Sequence, residues 1–133
     1  MRIVLTTGYY NATVSADFLI TRRIAFKRFA EELQALGHHV LVVYPFKEDA
    51  ERTENGVRYC FVQAHRWARW ASFGRTDREL ATRILPIIAD FQPDAIHFSG
   101  LTLDLNLWLV TRWGQRHGVP VVVQYHGGTA ARH

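Results

Sequence analysis

Cysteine is all but missing. Cys60 stands alone, which excludes an intramolecular disulfide and any thiolate metal cluster. Long hydrophobic runs are missing as well, and none approaches the ~20 residues that a membrane-spanning helix needs. Residues 1–5 (MRIVL) run straight into a strand with no secretion signal, so the expected compartment is the cytoplasm. There are no internal repeats and no low-complexity segments. Gly8 stands alone after the first strand, so the G-x-G-x-x-G fingerprint of dinucleotide binding is absent. No G-x-x-x-x-G-K-[ST], H-E-x-x-H or G-x-S-x-G occurs. The first strand also ends without the acidic cluster of a phosphoacceptor receiver domain. His38 and His39 are adjacent, and neighbours on a strand point to opposite faces, so they cannot grip one ion. No metal site is expected.

What is present suits one compact domain spanning residues 1–133. The apolar share of 48% suffices for a core, and charged residues at 21% are spread through the chain. Sixteen Lys and Arg against twelve Asp and Glu leave a formal charge of +4. That excess favours anionic partners such as nucleotide phosphates, acidic lipid headgroups or nucleic acid.

The hydrophobic pattern alternates between strand and helix. Residues 3–6 (IVLT) are a short run rich in β-branched residues, apolar on both faces, that reads as a buried parallel strand. The pattern predicts a helix over residues 18–36, with Leu19, Phe26, Phe29, Ala30 and Leu33 on one face and Gly37 as its stop. Residues 39–44 form a second apolar strand closed by Pro45. Residues 46–56 are polar and end in the turn signal Asn55-Gly56. Residues 57–62 form a third strand, in which Val57, Tyr59 and Phe61 alternate with Arg58, Cys60 and Val62. Thr76 and Glu79 have capping-box spacing and open a helix to about Phe91, which Pro86 is expected to kink or split. Residues 95–98 form a fourth strand, residues 103–117 a helix ended by Gly118, and residues 119–125 a fifth apolar strand.

Apolar strands alternating with helices imply an α/β fold, a Rossmann-like, doubly wound parallel sheet in three αβα layers. Right-handed crossovers favour the strand order 3-2-1-4-5. The link between the second and third strands carries no helix signal.

Ligands of such sheets bind outside the carboxyl ends of the strands, at the switch between the first and fourth. The residues delivered there include Gly8, Tyr9 and Tyr10, then His97, Ser99 and Gly100, then His126, Gly127 and Gly128. Imidazole, hydroxyl and glycine suit polar contact with close backbone approach. His97 lies within its strand, so packing competes with ligand contact as its role; His126 lies beyond its strand, before two glycines. Arg22 falls near the first helix start, on the side of Leu19 and Phe26. There it either pairs with a phosphate or carboxylate over the cleft or snorkels at its rim. In residues 65–75, Trp67, Trp70 and Phe73 recur every three residues with Arg66, Arg69 and Arg75 interleaved. On a helix this stripe suits a membrane interface or an acceptor, or it packs on the sheet with its arginines solvated.

Three segments together resemble a known family. Residues 29–43 (FAEELQALGHHVLVV), 93–97 (PDAIH) and 118–127 (GVPVVVQYHG) are similar, in order and spacing, to the N-terminal domain of the retaining GT-B glycosyltransferases of the family 4 type. The opening residues 1–6 and Tyr9-Tyr10 also fit. The resemblance implies two Rossmann-like domains with the active site in the cleft between them. The first domain mostly binds the acceptor and the second binds the nucleotide-sugar. His126 matches the family histidine at the donor sugar and reaction centre, and Gly127 its following glycine. The resemblance implies no metal and no cofactor, the nucleotide-sugar being a substrate. The sequence departs from the pattern at Ile20-Thr21, where the family usually carries a glycine pair near the donor phosphate.

The expected function is therefore that of an acceptor-binding half of a hexosyl-type transferase, incomplete and inactive alone. Its expected partners are a C-terminal nucleotide-sugar-binding domain and a glycan or lipid-linked acceptor, with peripheral contact at the inner face of the membrane. The alternative is a non-catalytic module for anionic lipid or a protein. Nucleic acid is disfavoured, because no recognition motif accompanies the αβ pattern.

Overall fold

The computed structural model describes residues 1–7, 15–18, 20, 27–63, 75–99 and 105–124. The elements are β1 (Arg2–Thr7), α1 (Ala16–Phe18), α2 (Lys27–Ala35), β2 (His39–Phe46), β3 (Ala50–Glu54), β4 (Val57–Gln63), α3 (Arg75–Phe91), β5 (Ala95–Ser99), α4 (Leu105–His117) and β6 (Val121–Gln124). One sheet of six strands runs β3-β4-β2-β1-β5-β6. All pairings are parallel except β3 with β4. The αβα class and the Rossmann-like order of the parallel strands hold.

The expected order gains one antiparallel edge strand. β3 (AERTE) is polar and largely exposed, so its sequence carries no strand pattern. It pairs through the turn that follows it: Asn55 and Gly56 adopt φ of 52° and 83°, and Glu54 lies opposite Val57. Two successive positive φ values make the tight hairpin turn that Asn-Gly favours. This hairpin replaces a helix between β2 and β4.

Three boundaries also shift. β2 continues through Pro45, because β1 has already ended its pairing at Val43 and only β4 flanks the proline. Pro86 lies inside α3 and does not split it. β6 begins only at Val121, and β5 runs on to Ser99. Of the first expected helix, α2 supplies the end, and most of residues 19–26 lie outside the described residues.

The sheet separates two cores. On one face Leu5, Val42, Tyr59 and Phe61 pack with Ala16, Ile20 and Ala30. On the other, Val4, Leu41, Val43 and Ile96 pack with Leu80, Ile84 and Ile88 of α3 and Val110 of α4. The alternation along each strand thus sends successive residues to opposite cores. Coverage is uneven. β6 is apolar, yet Val122 is 57% and Val123 36% exposed, so the expectation of full cover on both faces fails at this edge.

α2 ends as its glycine dictates. Gly37 has φ of 95°, its amide donates to the Gln34 carbonyl, and the His38 amide donates to the Leu33 carbonyl. Gly118, with φ of 69°, ends α4. Below the sheet, Arg2 clamps the end of α3. Its Nε donates to the Phe91 carbonyl at 2.7 Å, and its guanidinium lies 4.2 Å from the centre of the Phe91 ring.

Candidate functional site

The parallel strands end along one edge, at Thr7, Phe46, Gln63, Ser99 and Gln124. From β1 the chain winds to β2 on one side, and later places β5 on the other. The winding reverses between β1 and β5, so that is where a crevice opens in such a sheet. Thr7 and Ser99 are the last paired residues there. Both are buried, and the Thr7 hydroxyl donates to the Ser99 carbonyl at 3.0 Å. This bond ties the two strand ends together as the floor of the crevice. Ser99 thus lies where the sequence places it.

His97 lies two residues lower, in register between Leu5 of β1 and Val122 of β6. The residue is partly exposed, its Nδ1 is buried, and its ring meets the Phe29 ring edge-on, with centroids 5.5 Å apart and planes at 65°. Phe29 is 41% exposed, so it borders an open shelf rather than filling the inner face of the first helix. Imidazole, phenyl and the exposed Val122 share this face of the sheet. The sequence gives no sign of this contact, since its helical pattern puts Phe29 on the inner face of a longer helix.

Ile20 stands where the resemblance puts the first glycine of a phosphate-approach pair. Its side chain is 4% exposed and belongs to the same core as Leu5 and Ala16. A buried aliphatic side chain here serves packing. Gly8, Tyr9, Tyr10, Arg22, Gly100, His126, Gly127 and Gly128 lie outside the described residues, as do Arg66, Trp67, Arg69 and Trp70.

A second hollow, of about 630 Å³, opens between α3 and the β3–β4 hairpin. Cys60, Asp49, Glu51 and Arg83 line it. Burial pushes the Cys60 thiol up, and the Glu51 carboxylate adds to the effect. A thiol held neutral in this way is a poor nucleophile. Among the described residues no group of three or more His, Cys, Asp and Glu side chains is placed to hold a metal ion. No helix among them is long and apolar enough to cross a membrane.

Comparison with curated proteins gives no match. Comparison with protein families gives one, a glycosyl transferase 4-like domain, over residues 23–133. The matched span takes in α2, the switch-point strand β5 and the segment after β6, which are the parts of the sequence that carry the resemblance. Sheet order and family match agree, and the chain belongs to the glycosyl transferase 4-like family.

Proposed function

We propose that this chain is the acceptor-side half of a retaining glycosyltransferase of GT-B architecture. The complete enzyme moves a sugar, of hexosyl type, from a nucleotide diphosphate donor to a hydroxyl on a glycan or lipid-linked acceptor. The supporting observation is the crevice floor at Thr7 and Ser99, with the partly open His97–Phe29 shelf beside it, inside a domain of this family. A shelf of imidazole and apolar groups offers hydrogen bonds to hydroxyls and contact to the C–H face of a sugar ring. His126, Gly127 and Gly128, which follow β6 in the sequence, are the residues we assign to the reaction centre, with His126 as the catalytic side chain. Gly8, Tyr9, Tyr10 and Arg22 follow β1 and complete the substrate-binding set.

A second Rossmann-like domain holds the nucleotide-sugar in this reading, and its amides and basic side chains stabilise the leaving diphosphate. No metal or cofactor is needed. Transfer requires donor and acceptor held together, so this half alone is inactive. The reading places the protein in the cytoplasm.

Saturation-transfer NMR on the chain tests the assignment. Oligosaccharide acceptors should receive saturation, and nucleotide-sugars should receive little. Strong transfer to nucleotide-sugars with none to any glycan overturns the acceptor-side reading. In an enzyme completed by its second domain, His126→Ala should lower transfer about a hundredfold or more, the usual scale for removing one aimed polar group. Undiminished turnover with an unchanged fold refutes the role of His126.

A further inference from the structure

α4 buries Val110 and packs Leu107 and Trp113 against the core shared with α3. Its opposite side is unusual. Trp108 is 53% exposed, and the Arg112 guanidinium lies 5.2 Å from the centre of its ring. Gln115 and Arg116 continue the same exposed stripe at helical spacing. The helix carries no Asp or Glu anywhere in its thirteen residues, LNLWLVTRWGQRH. Elsewhere on the described surface three exposed arginines have acidic partners, Arg28 with Glu32, Arg52 with Asp17 and Arg58 with Glu51, while Arg2 is held by the Phe91 carbonyl and ring. Arg112 and Arg116 form no ion pair with a described residue.

We propose that this outward stripe of α4 seats the protein on an anionic lipid surface. The Trp108 indole enters the boundary between headgroups and acyl chains, and Arg112 and Arg116 meet lipid phosphates. Indole rings partition to that boundary because one side is apolar and the N–H still finds a hydrogen-bond partner. Unpaired arginines add attraction to negative lipid. A fluid headgroup layer is favoured over a protein partner by the charge of the stripe, which is of one sign on the helix. The stripe lies on a different element from the aromatic and basic run at residues 65–75. The inference stands independently of any transferase activity.

Flotation of the whole chain with vesicles tests it. Phosphatidylcholine vesicles should carry little protein, and vesicles containing phosphatidylglycerol should carry much more. Binding should fall as salt is raised. Each arginine removed in Arg112→Gln and Arg116→Gln should weaken partition about fivefold, and Trp108→Ala should weaken it on its own. All three side chains are exposed, so circular dichroism should show an unchanged fold. Arg28→Gln with Arg52→Gln removes equal charge elsewhere and should leave binding nearly intact. The proposal fails if the wild-type chain does not float with anionic vesicles. It also fails if the α4 variants float like wild type, or if the control pair loses as much as the α4 pair. Transfer assays do not enter this test, so its failure and that of the transferase reading are separable.

Discussion

Tyr59 is fully buried, and its hydroxyl has no hydrogen-bond partner among the described residues. Burial pushes the phenol up to about 12, and the Glu31 and Glu54 carboxylates push the same way. The hydroxyl is therefore neutral at every ordinary pH, and it has lost its water without gaining a partner. Removing such a group relieves a desolvation penalty of about 1–3 kcal/mol. Tyr59→Phe should keep the ring packed against its neighbours and leave stability unchanged or raised, as read by urea denaturation. A clear loss of stability would mean that the hydroxyl is bonded after all. The sequence marks Tyr59 as inward through its alternation with Arg58 and Cys60, but a period of two says nothing about where a hydroxyl's hydrogen bond goes. The same limit applies at the candidate site. Alternation places His97 on a strand and Ser99 at its end, whereas the ring contact to Phe29 and the Thr7–Ser99 bond join residues 68 and 92 positions apart. No local pattern reaches that far.

At the level of elements, glycines show both what a sequence discloses and what it withholds. Gly37 and Gly118 end helices, and Gly56 closes a hairpin, all with positive φ and all at places where a pattern breaks. Gly114 breaks no pattern. It sits inside α4 with ordinary helical backbone, where alanine is the better helix former by about 1 kcal/mol. The structure supplies its reason. A Cβ on Gly114 would lie 2.6 Å from the Val119 carbonyl oxygen and 2.8 Å from Val121 Cγ2. The Val119 amide donates back to the Gly114 carbonyl at 2.8 Å, so the chain folds tightly over this residue on its way into β6. Gly114→Ala must push the backbone at 119 outward. Overpacking of this kind costs about 1–3 kcal/mol, which outweighs the propensity gain. Thermal unfolding should show a lowered midpoint, and an unchanged or raised one would show that the turn yields freely. β3 is the opposite case. Its residues lack any strand signal, and the Asn55-Gly56 turn alone gives it a partner. The turn was legible, but the polar strand ahead of it was not, because β3 gains its place from hydrogen bonds to β4 rather than from burial.

For the whole molecule, the alternation of apolar strands and helices suffices to fix the parallel order, since right-handed crossovers leave few ways to arrange it. It does not fix how completely each face is covered. β1 and β2 sit centrally, flanked by strands on both sides and by a core on each face. β6 is at the edge of the described sheet, pairs over four residues with β5 alone, and leaves Val122 and Val123 largely open. Backbone bonds of central strands break only when the entire sheet opens, whereas an edge strand with little buried area opens locally at lower free energy. Hydrogen exchange should therefore divide the sheet by position rather than by sequence. Amides of residues 3–6 and 40–43 should exchange slowest, near the rate of global unfolding. Those of residues 121–124 should exchange fastest among the parallel strands, even though VVVQ is as apolar and β-branched as the strands that exchange slowly. Intrinsic strand preference makes the contrary forecast, with VVVQ protected like the centre. Equal protection of β6 and β1 would show that something covers this edge, and that the open shelf of His97, Phe29 and Val122 is closed in solution.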